Sequence, residues 1–477
     1  MSKVIKLKKG LDIELVGVAE KTLSKAPAAA TYAVVPEHYK GVTPKLLVNA
    51  ADAVKAGTPL FFDKENPEVL FTSPVSGTVR EIVRGAKRKI LSIVIEPDGK
   101  MESEVFEKPA TAEQGRELLL ASGLWPTIMQ RPFGVIAKST DLPRDIFITG
   151  FDSAPLGADL NFLVQGQKEN ITAGVELLSK LTTGKVHLTL GTGKKTGCVT
   201  RMYNCGMDRF NKLVGTPCAV QEFKPVQDVL GGIANAEMHT VSGKHPAGNV
   251  GVQIANIAPV AKGDIVWTVD IQHVAIMGKL ALTGRLDMSK TIALAGSEVK
   301  RPKYYRIISG ASIDSIVKGN IKGYSDTRTI SGNPLTGSKV TGSDYIGFYD
   351  NSVSILPEGN HYEFVGWALP RLGKFSVSHT YFSWLTPWKK YRLDTNLNGG
   401  PRAFVMNGIY EKVVPIPYFY PVYLLKAVMA GDIDKMEKLG IYEVIEEDLA
   451  LCEFICPSKI EWQSILRGGI ELMIKEM

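Results

Sequence analysis

Cys452 and Cys456 form the only closely spaced pair among the five cysteines. Their four-residue separation places both thiols on one face of a helix, whereas Cys198, Cys205 and Cys218 are scattered. An iron–sulfur cluster needs about four cysteine ligands, and a disulfide framework needs a higher cysteine density. The pattern therefore favours buried, apolar thiols over a metal or cluster site.

The histidines show little pattern of metal or acid–base chemistry. His239 and His245 lie six positions apart, with Glu237 nearby, whereas zinc-binding pairs usually lie closer and have further ligands. His273 follows Asp270 in a segment that we expect to be a strand, where a histidine is more often structural. No H-E-x-x-H or G-x-S-x-G motif occurs. The remaining isolated histidines are His38, His187, His361 and His379. We therefore predict no catalytic residue and no metal ligand.

A glycine-rich turn at residues 191–197 reads Gly-Thr-Gly-Lys-Lys-Thr-Gly. A phosphate-binding loop carries a further glycine where Leu188 stands here, and the dinucleotide fingerprint has one residue fewer between its last two glycines. A turn with solvated lysines is the favoured interpretation, and nucleotide binding is the alternative.

Residues 362–391 hold nine aromatic side chains, including Trp367, Trp384 and Trp388. At 384–390 the order Trp-Leu-Thr-Pro-Trp-Lys-Lys combines tryptophan with lysine. This combination is typical of a protein interface or a membrane headgroup zone. We predict that the three tryptophans lie at a partner interface, with a core position as the alternative.

The element pattern divides the chain into modules. Short apolar runs between turns predict a small β-barrel or sandwich over residues 1–100. From 101 to 285 helices and strands alternate, as in a doubly wound α/β unit. Thr111 and Gln114 form a capping box for a helix that ends at Gly123. We predict strands at 145–150 and 185–191, with a helix at 170–181 between them.

Short strands return over residues 286–361, at 291–296 and 303–307, with one helix at 312–318 and a loop at 332–344. Residues 362–477 end in helices. These begin at Asp432, at 446 and after a capping box of Ser458 and Glu461. Together the modules predict a multidomain α/β protein.

Composition excludes several classes. The 477 residues carry a net charge of +7, which is too dilute to indicate nucleic-acid binding. The densest basic run, residues 84–89, is best interpreted as a solvated hairpin tip, although weak attraction to anionic lipids also fits. Mean hydropathy is +0.02, and no apolar run approaches the roughly 20 residues of a spanning helix. The N-terminus lacks the apolar stretch of a secretory signal, so we expect a cytosolic location.

The order of these modules resembles the A subunit of the bacterial sodium-translocating NADH:quinone oxidoreductase. Residues 5–13 resemble the start of that family, and residues 73–79, Ser-Pro-Val-Ser-Gly-Thr-Val, are similar to the turn of biotinyl/lipoyl-like domains without their modifiable lysine. The resemblance implies a barrel-sandwich hybrid at 1–100, a Rossmann-like domain at 101–285 and a β-grasp (SLBB-like) module at 286–361. An aromatic-rich segment and a helical domain follow at 362–477.

That family is related to the flavoprotein subunit of respiratory complex I and to the C subunit of the Rnf complex. Those relatives hold flavin in a Gly-Gly-Ala-Gly-Phe-Pro-Thr loop, and residues 122–134 look like its counterpart here. Leu124 and Trp125 replace glycines that would let backbone N–H groups approach a phosphate. Residues 150–155 replace an acidic turn, and only Cys452 and Cys456 remain of the cluster motif. The resemblance thus implies that the FMN, NADH and iron–sulfur ligands have been lost.

The resemblance implies a cofactor-free peripheral subunit on the cytoplasmic face of the bacterial inner membrane. The six-subunit complex couples NADH oxidation and quinone reduction to sodium export, with FAD, FMN, riboflavin and iron–sulfur centres in other subunits. The chain alone is not expected to be catalytic, and its chief partner would be a quinone-site membrane subunit.

If the chain contacts quinone, we predict ring contacts from Trp125, Met129 and Phe133 and a carbonyl donor in Arg131. Alternatively, this loop only fills the vacated flavin cleft. Two other functions remain open, namely a purely structural assembly scaffold and a soluble oxidoreductase that binds a nucleotide through residues 191–197.

Overall fold

The computed structural model describes residues 3–476 except 193–232, 324–325, 360, 362, 367–368, 387, 398–399 and 405. Four predictions therefore lie outside the described residues: Trp367, residues 193–197 of the glycine-rich turn, the early cysteines Cys198, Cys205 and Cys218, and Tyr362 of the aromatic segment. The described elements form four sheets and a C-terminal group of helices.

The N-terminal strands build two small sheets, as the short apolar runs predict. The strands are β1 (Val4–Lys6), β2 (Glu20–Lys25), β3 (Tyr32–Val34), β4 (Pro44–Leu46), β5 (Ala53–Val54), β6 (Pro59–Asp63), β7 (Leu70–Thr72), β8 (Gly77–Arg84) and β9 (Ile90–Pro97). One sheet has the order β3-β9-β8-β5 and the other β4-β6-β7. Phe61 stacks on Phe71 inside, with ring centroids 4.4 Å apart. The turn at 86–88 between β8 and β9 is exposed, as expected for a hairpin tip.

β1 and β2 leave this module and join the other two sheets. β1 pairs in parallel with a strand of the α/β module, and β2 pairs in parallel with a strand of the β-grasp sheet. The N-terminal segment thus ties the modules together, and the four-module division is retained as a proposal.

The α/β module has a mixed seven-stranded sheet with helices. Its strands are β10 (Met129–Arg131), β11 (Val135–Ile136), β12 (Asp145–Gly150), β13 (Val186–Gly191), β14 (Ala236–Ser242) and β15 (Val266–Asp270). Its described helices are α1 (Ala112–Ala121), α2 (Leu160–Leu163), α3 (Lys168–Ser179), α4 (Val250–Ile257) and α5 (Ile271–Thr283). The order is β1-β14-β13-β12-β15-β10-β11, with the first five strands parallel. The predicted strands, and the predicted helix as α3, are confirmed.

Local sequence signals explain how two of these helices begin. The Thr111 side chain accepts a hydrogen bond from the backbone of Gln114, which completes the predicted capping box of α1. The expected strand around His273 is wrong, because Asp270 ends β15 and caps α5. Its carboxylate accepts from the Gln272 N–H at 2.8 Å, so His273 lies in a helix.

The β-grasp module contains β16 (Ser289–Ala295), β17 (Lys303–Ile308), α6 (Asp314–Val317), β18 (Thr327–Ser331), β19 (Ser338–Val340) and β20 (Ser352–Pro357). Its sheet order is β19-β18-β20-β16-β17-β2. The predicted loop at 332–344 is partly wrong, because residues 338–340 pair with β18 as a short edge strand. A polar edge strand lacks the apolar alternation on which sequence prediction depends.

The chain ends in the helices α7 (Pro421–Met429), α8 (Ile433–Lys438), α9 (Glu446–Ile455) and α10 (Trp462–Glu476). Asp432 caps α8, as predicted. Ser458 does not cap α10, which begins four residues later. Lys459 adopts a left-handed φ of +51°, so the chain turns before the helix starts. Within the described residues, every helix is too short or too polar to span a membrane.

Candidate functional site

A cavity of about 350 Å³ opens at the carboxyl ends of β12 and β15. β13 lies on one side of β12 and β15 on the other, so the chain reverses its direction of progress across the sheet at this point. Such a switch point leaves a crevice between the loops that follow the two strands, and it is the usual ligand position in open α/β sheets. The volume lies in the range of about 300–1,000 Å³ typical of small-molecule sites.

All four modules line this cavity. The α/β module supplies most of the wall, with apolar faces from Met129, Phe151 and Val269. The other modules contribute His38, Lys40, Asn333, Thr336, Tyr349, Asn351, Ile445 and Glu447. The Tyr349 hydroxyl donates to the Pro126 carbonyl at 2.7 Å and so fixes the β-grasp loop against the start of β10. The cavity is therefore an interdomain site whose shape depends on the packing of the whole chain.

Two carboxyl groups occupy the strand ends. Asp152 follows β12 and Asp270 closes β15, and both line the cavity. Burial raises the pKa of each to about 6, and the charge of Asp270 adds to the shift at Asp152. Both groups are mostly ionised above neutral pH. The sequence interpretation missed them, although each directly follows an apolar strand, which is where ligand-binding residues of α/β folds lie.

His245 lines the cavity beside Ser153. Ser153 Oγ accepts from the Gly248 N–H at 2.7 Å and lies 3.1 Å from His245 Nδ1. His245 is 4% exposed, and its Nε2 has no partner among the described residues. Burial lowers its pKa to about 4, so the ring is neutral at physiological pH.

The basic side chains around the cavity are already engaged. Arg131 donates to Asp448 Oδ2 at 2.9 Å and to Glu447 Oε1 at 2.7 Å. Burial would lower its pKa, but the charges of Asp448 and Glu447 raise it above the ordinary value. Lys40 pairs with Glu446 at 2.7 Å. The start of α9 thus neutralises the cations of this wall.

The predicted quinone-contact residues fall into two groups. Met129 and Arg131 line the cavity. Trp125 is fully buried behind it, where its Nε1 donates to the Ala137 carbonyl at 2.7 Å and its ring meets the Trp267 edge. Phe133 packs on Tyr442, with centroids 5.8 Å apart. The contact roles of all four stay predictions.

Three side chains from the neighbouring strands β13 and β14 meet in the sheet. The ligand atoms of His187, Glu237 and His239 lie within 4.8 Å of one another. The Lys3 N–H donates to His239 Nδ1 at 3.1 Å, so His239 Nε2 carries the proton that faces His187 Nδ1 at 2.9 Å. A metal ion on Nε2 would require the ring to lose both protons. The arrangement suits a hydrogen-bonded relay that anchors β1, which sequence spacing could not reveal.

This relay predicts a pH dependence. Burial, followed by the nearby His187, lowers the pKa of His239 to about 4, below the unfolded value of about 6.5. The unfolded state therefore binds more protons in this window, and stability is lost as the pH falls from about 6.5 towards 4. The free energy of unfolding of the parent chain should fall between about pH 7.5 and pH 5. We expect this fall to be about 1–2 kcal/mol smaller in His239→Gln. Urea titrations measure this, and exposed His361→Gln is the control. Parallel pH profiles for parent and His239→Gln would contradict the relay.

The remaining sequence candidates are also placed. Cys452 and Cys456 are free, buried thiols, as predicted, and Cys456 Sγ lies 3.2 Å from the Tyr410 hydroxyl. Trp384 and Trp388 are 49% and 76% exposed, in a segment whose described part contains one short 3₁₀ turn, Phe382–Leu385.

The fold and the cavity define a multidomain α/β protein with an interdomain cavity. The N-terminal barrel-sandwich hybrid domain of NqrA matches residues 5–98, its second α/β domain matches 110–201 and 196–286, and the NqrA C-terminal domain matches 291–342. The predicted fold class is thereby confirmed.

Relatives that match over their full length indicate the same family as the domain matches. The chain is 38% identical to the A subunit of the Na(+)-translocating NADH-quinone reductase of Pasteurella multocida over 99% of this chain and 100% of the relative. Identity is 36% to the corresponding protein of Neisseria meningitidis serogroup B, with the same coverage, and 35% to that of Rhodopirellula baltica, covering 99% and 98%. The chain belongs to the NqrA family, the A subunits of Na(+)-translocating NADH-quinone reductases, which confirms the predicted resemblance. It is thus one subunit of an oxidoreductase complex.

Among solved structures, an NAD+-reducing [NiFe]-hydrogenase chain matches with a TM-score of 0.36 and 11% identity, over 77% of this chain and 62% of that chain.

Proposed function

We propose that this chain is a redox-inactive peripheral subunit of a sodium-translocating NADH:quinone reductase, on the cytoplasmic face of the membrane, and that its interdomain cavity receives the quinone ring. The observation that carries the proposal is the cavity at the switch point of the sheet. Met129, Phe151 and Val269 offer it apolar faces, and charged and hydrogen-bonding side chains such as Asp152 and Asp270 lie beside them in the lining. The names of the relatives, which are NADH-quinone reductase subunits, support the same assignment.

The charges favour a quinone over a nucleotide. A phosphate is usually held by free backbone N–H groups at a helix N-terminus or by unpaired basic side chains. Here Asp152 and Asp270 line the cavity, and Arg131 and Lys40 are paired with acids. An ionised phosphate beside these carboxylates would therefore meet negative charge, which argues against FMN or NADH at this end of the cavity.

We expect an azido-quinone photoprobe to label the native complex in residues 122–138 of this chain, because Met129 and Arg131 line the cavity. Peptide mapping by mass spectrometry measures the labelling, and an excess of unlabelled quinone should suppress it. Labelling confined to other subunits would remove the quinone site from this chain and favour the assembly-scaffold alternative.

The aromatic segment is proposed as the docking surface for a membrane subunit. Residues 362–391 contain four Lys and Arg residues and one acidic residue, Glu363. Large apolar side chains are nevertheless exposed here: Phe364, Leu369, Leu372, Phe382, Trp384, Leu385 and Trp388. An exposed apolar surface of this kind marks an interaction site, and tryptophan is enriched in binding hot spots.

We expect Trp384→Ala/Trp388→Ala to weaken assembly at least about tenfold, since each hot-spot tryptophan contributes roughly 2 kcal/mol or more. Native gels of detergent extracts, quantified against the membrane subunits, measure this. Tyr423→Ala, which removes a comparably exposed aromatic ring outside the segment, is the control. Unchanged assembly of the double variant would contradict the docking surface.

A further inference from the structure

We propose that the cavity binds the reduced, dihydroxy form of a quinone in preference to the oxidised form, because the ionised carboxylates of Asp152 and Asp270 that line it accept hydrogen bonds and cannot donate them. This inference rests on the proposed function, and it names the redox form that this site retains.

The acceptors lie at the ends of β12 and β15. Asp152 Oδ1 accepts from the Ala154 N–H at 2.7 Å. The two oxygens of Asp270 accept from the Gln272 N–H at 2.8 Å and from Asn351 Nδ2 at 3.0 Å. A carboxylate has about four acceptor positions, so both groups retain capacity towards the cavity.

The nearest buried ammonium does not occupy that capacity. Lys290 is 3% exposed, and its Nζ donates to the carbonyls of Gly347, Phe348 and Asp350 at 3.2, 2.8 and 2.9 Å. Those three bonds use all the protons of the ammonium. Its charge contributes to the local field, but its donors are turned into the β-grasp loop. Lys290 therefore leaves the remaining acceptor positions of the two carboxylates open to a donor on a ligand or in water.

His245 lines the cavity but does not discriminate between the two redox forms. Its Nδ1 faces Ser153, and its Nε2 is a buried atom without a partner among the described residues, so neither ring nitrogen is open to a ligand.

Discrimination comes from the carboxylates. The oxygens of a quinone only accept hydrogen bonds, so a quinone carbonyl near Asp152 or Asp270 leaves that carboxylate without a donor. The lone pairs of the two oxygens then repel each other. A hydroquinone hydroxyl donates to the carboxylate in a charge-assisted bond. A site built to bind a hydroxyl rejects an analogue that lacks it, because its own polar group is then left unpaired.

The test uses the purified full-length chain and a short-tailed benzoquinone, titrated under argon in its oxidised form and after reduction. At about pH 7.5, calorimetry should show the hydroquinone binding roughly ten- to a hundredfold more tightly. Asp270→Asn and Asp152→Asn each supply an amide donor and should reduce this ratio towards one. Asparagine is also a good helix N-cap, so Asp270→Asn preserves the start of α5. Asp434→Asn, an exposed substitution on α8, is the matched control and should keep the parent ratio.

The outcomes separate the inference from the proposed function. Tighter hydroquinone binding that is lost in the two cavity variants supports both. Equal binding of the two forms, or tighter binding of the quinone, overturns the redox preference while leaving the quinone site in place. If neither form binds the parent chain, the proposed quinone cavity is wrong and the redox preference falls with it.

Discussion

Arg131→Met is expected to lower the free energy of unfolding by about 3–5 kcal/mol, because it strands a buried carboxylate. Arg131 is 3% exposed, and its partner Asp448 is 0% exposed. Removing the guanidinium leaves Asp448 charged in a site that water does not reach. The methionine side chain roughly replaces the lost volume, so the cost arises mainly from charge. Urea denaturation followed by tryptophan fluorescence measures the change.

Two further variants isolate the cause of this loss. Arg131→Met/Asp448→Asn removes the stranded charge and should recover part of the lost stability, since a buried pair costs most when one partner alone is missing. Lys262→Met breaks an exposed pair with Glu437 and should cost less than about 1 kcal/mol. If Arg131→Met costs no more than Lys262→Met, the pair does not hold α9 against β10.

This pair also determines the shape of the cavity. Glu446, Glu447 and Asp448 form the acidic first turn of α9, where negative charge favours a helix N-terminus. They connect to Lys40 in the barrel-sandwich module, Arg131 in the α/β module and Arg467 on α10. Destabilising this junction should therefore reduce ligand binding in the cavity as well as stability.

Trp125→Ala is expected to destabilise the fold by about 3–5 kcal/mol. Trp125 is 0% exposed, its Nε1 donates to the Ala137 carbonyl, and its ring lies edge-on to Trp267 with centroids 5.4 Å apart. Truncation creates a large cavity in the core and leaves a buried carbonyl without its donor. Guanidinium or urea unfolding measures the loss.

The same substitution tests the predicted quinone contact of Trp125. Trp388→Ala, at a 76% exposed position, should change stability by no more than about 0.5 kcal/mol and is the control. Unchanged stability of Trp125→Ala together with lost photolabelling would identify the ring as a ligand contact outside the core. If Trp125→Ala loses stability and Met129→Ala is still labelled by the photoprobe, the predicted quinone contacts of Trp125 and Met129 would both lose support.

Much of the secondary structure could be predicted from local signals. The capping box of Thr111, the cap of Asp432 and the apolar runs that became β12 and β13 act over a few neighbouring residues, so they can be recognised without tertiary contacts. Other predictions failed. The edge strand β19 exists only because β18 pairs with it, and Ser458 loses its capping role because Lys459 turns the chain.

The sequence by itself determined the order of the modules and the family, because these depend on residue types in order along the chain. Only the tertiary structure decided which side chains face the cavity. It brought Asp152 close to His245 and Asp270, which follow about 90 to 120 residues later in the chain, and it placed Trp125 in the core. The physical reason is that strand register and domain packing set these positions, and neither is encoded in local spacing.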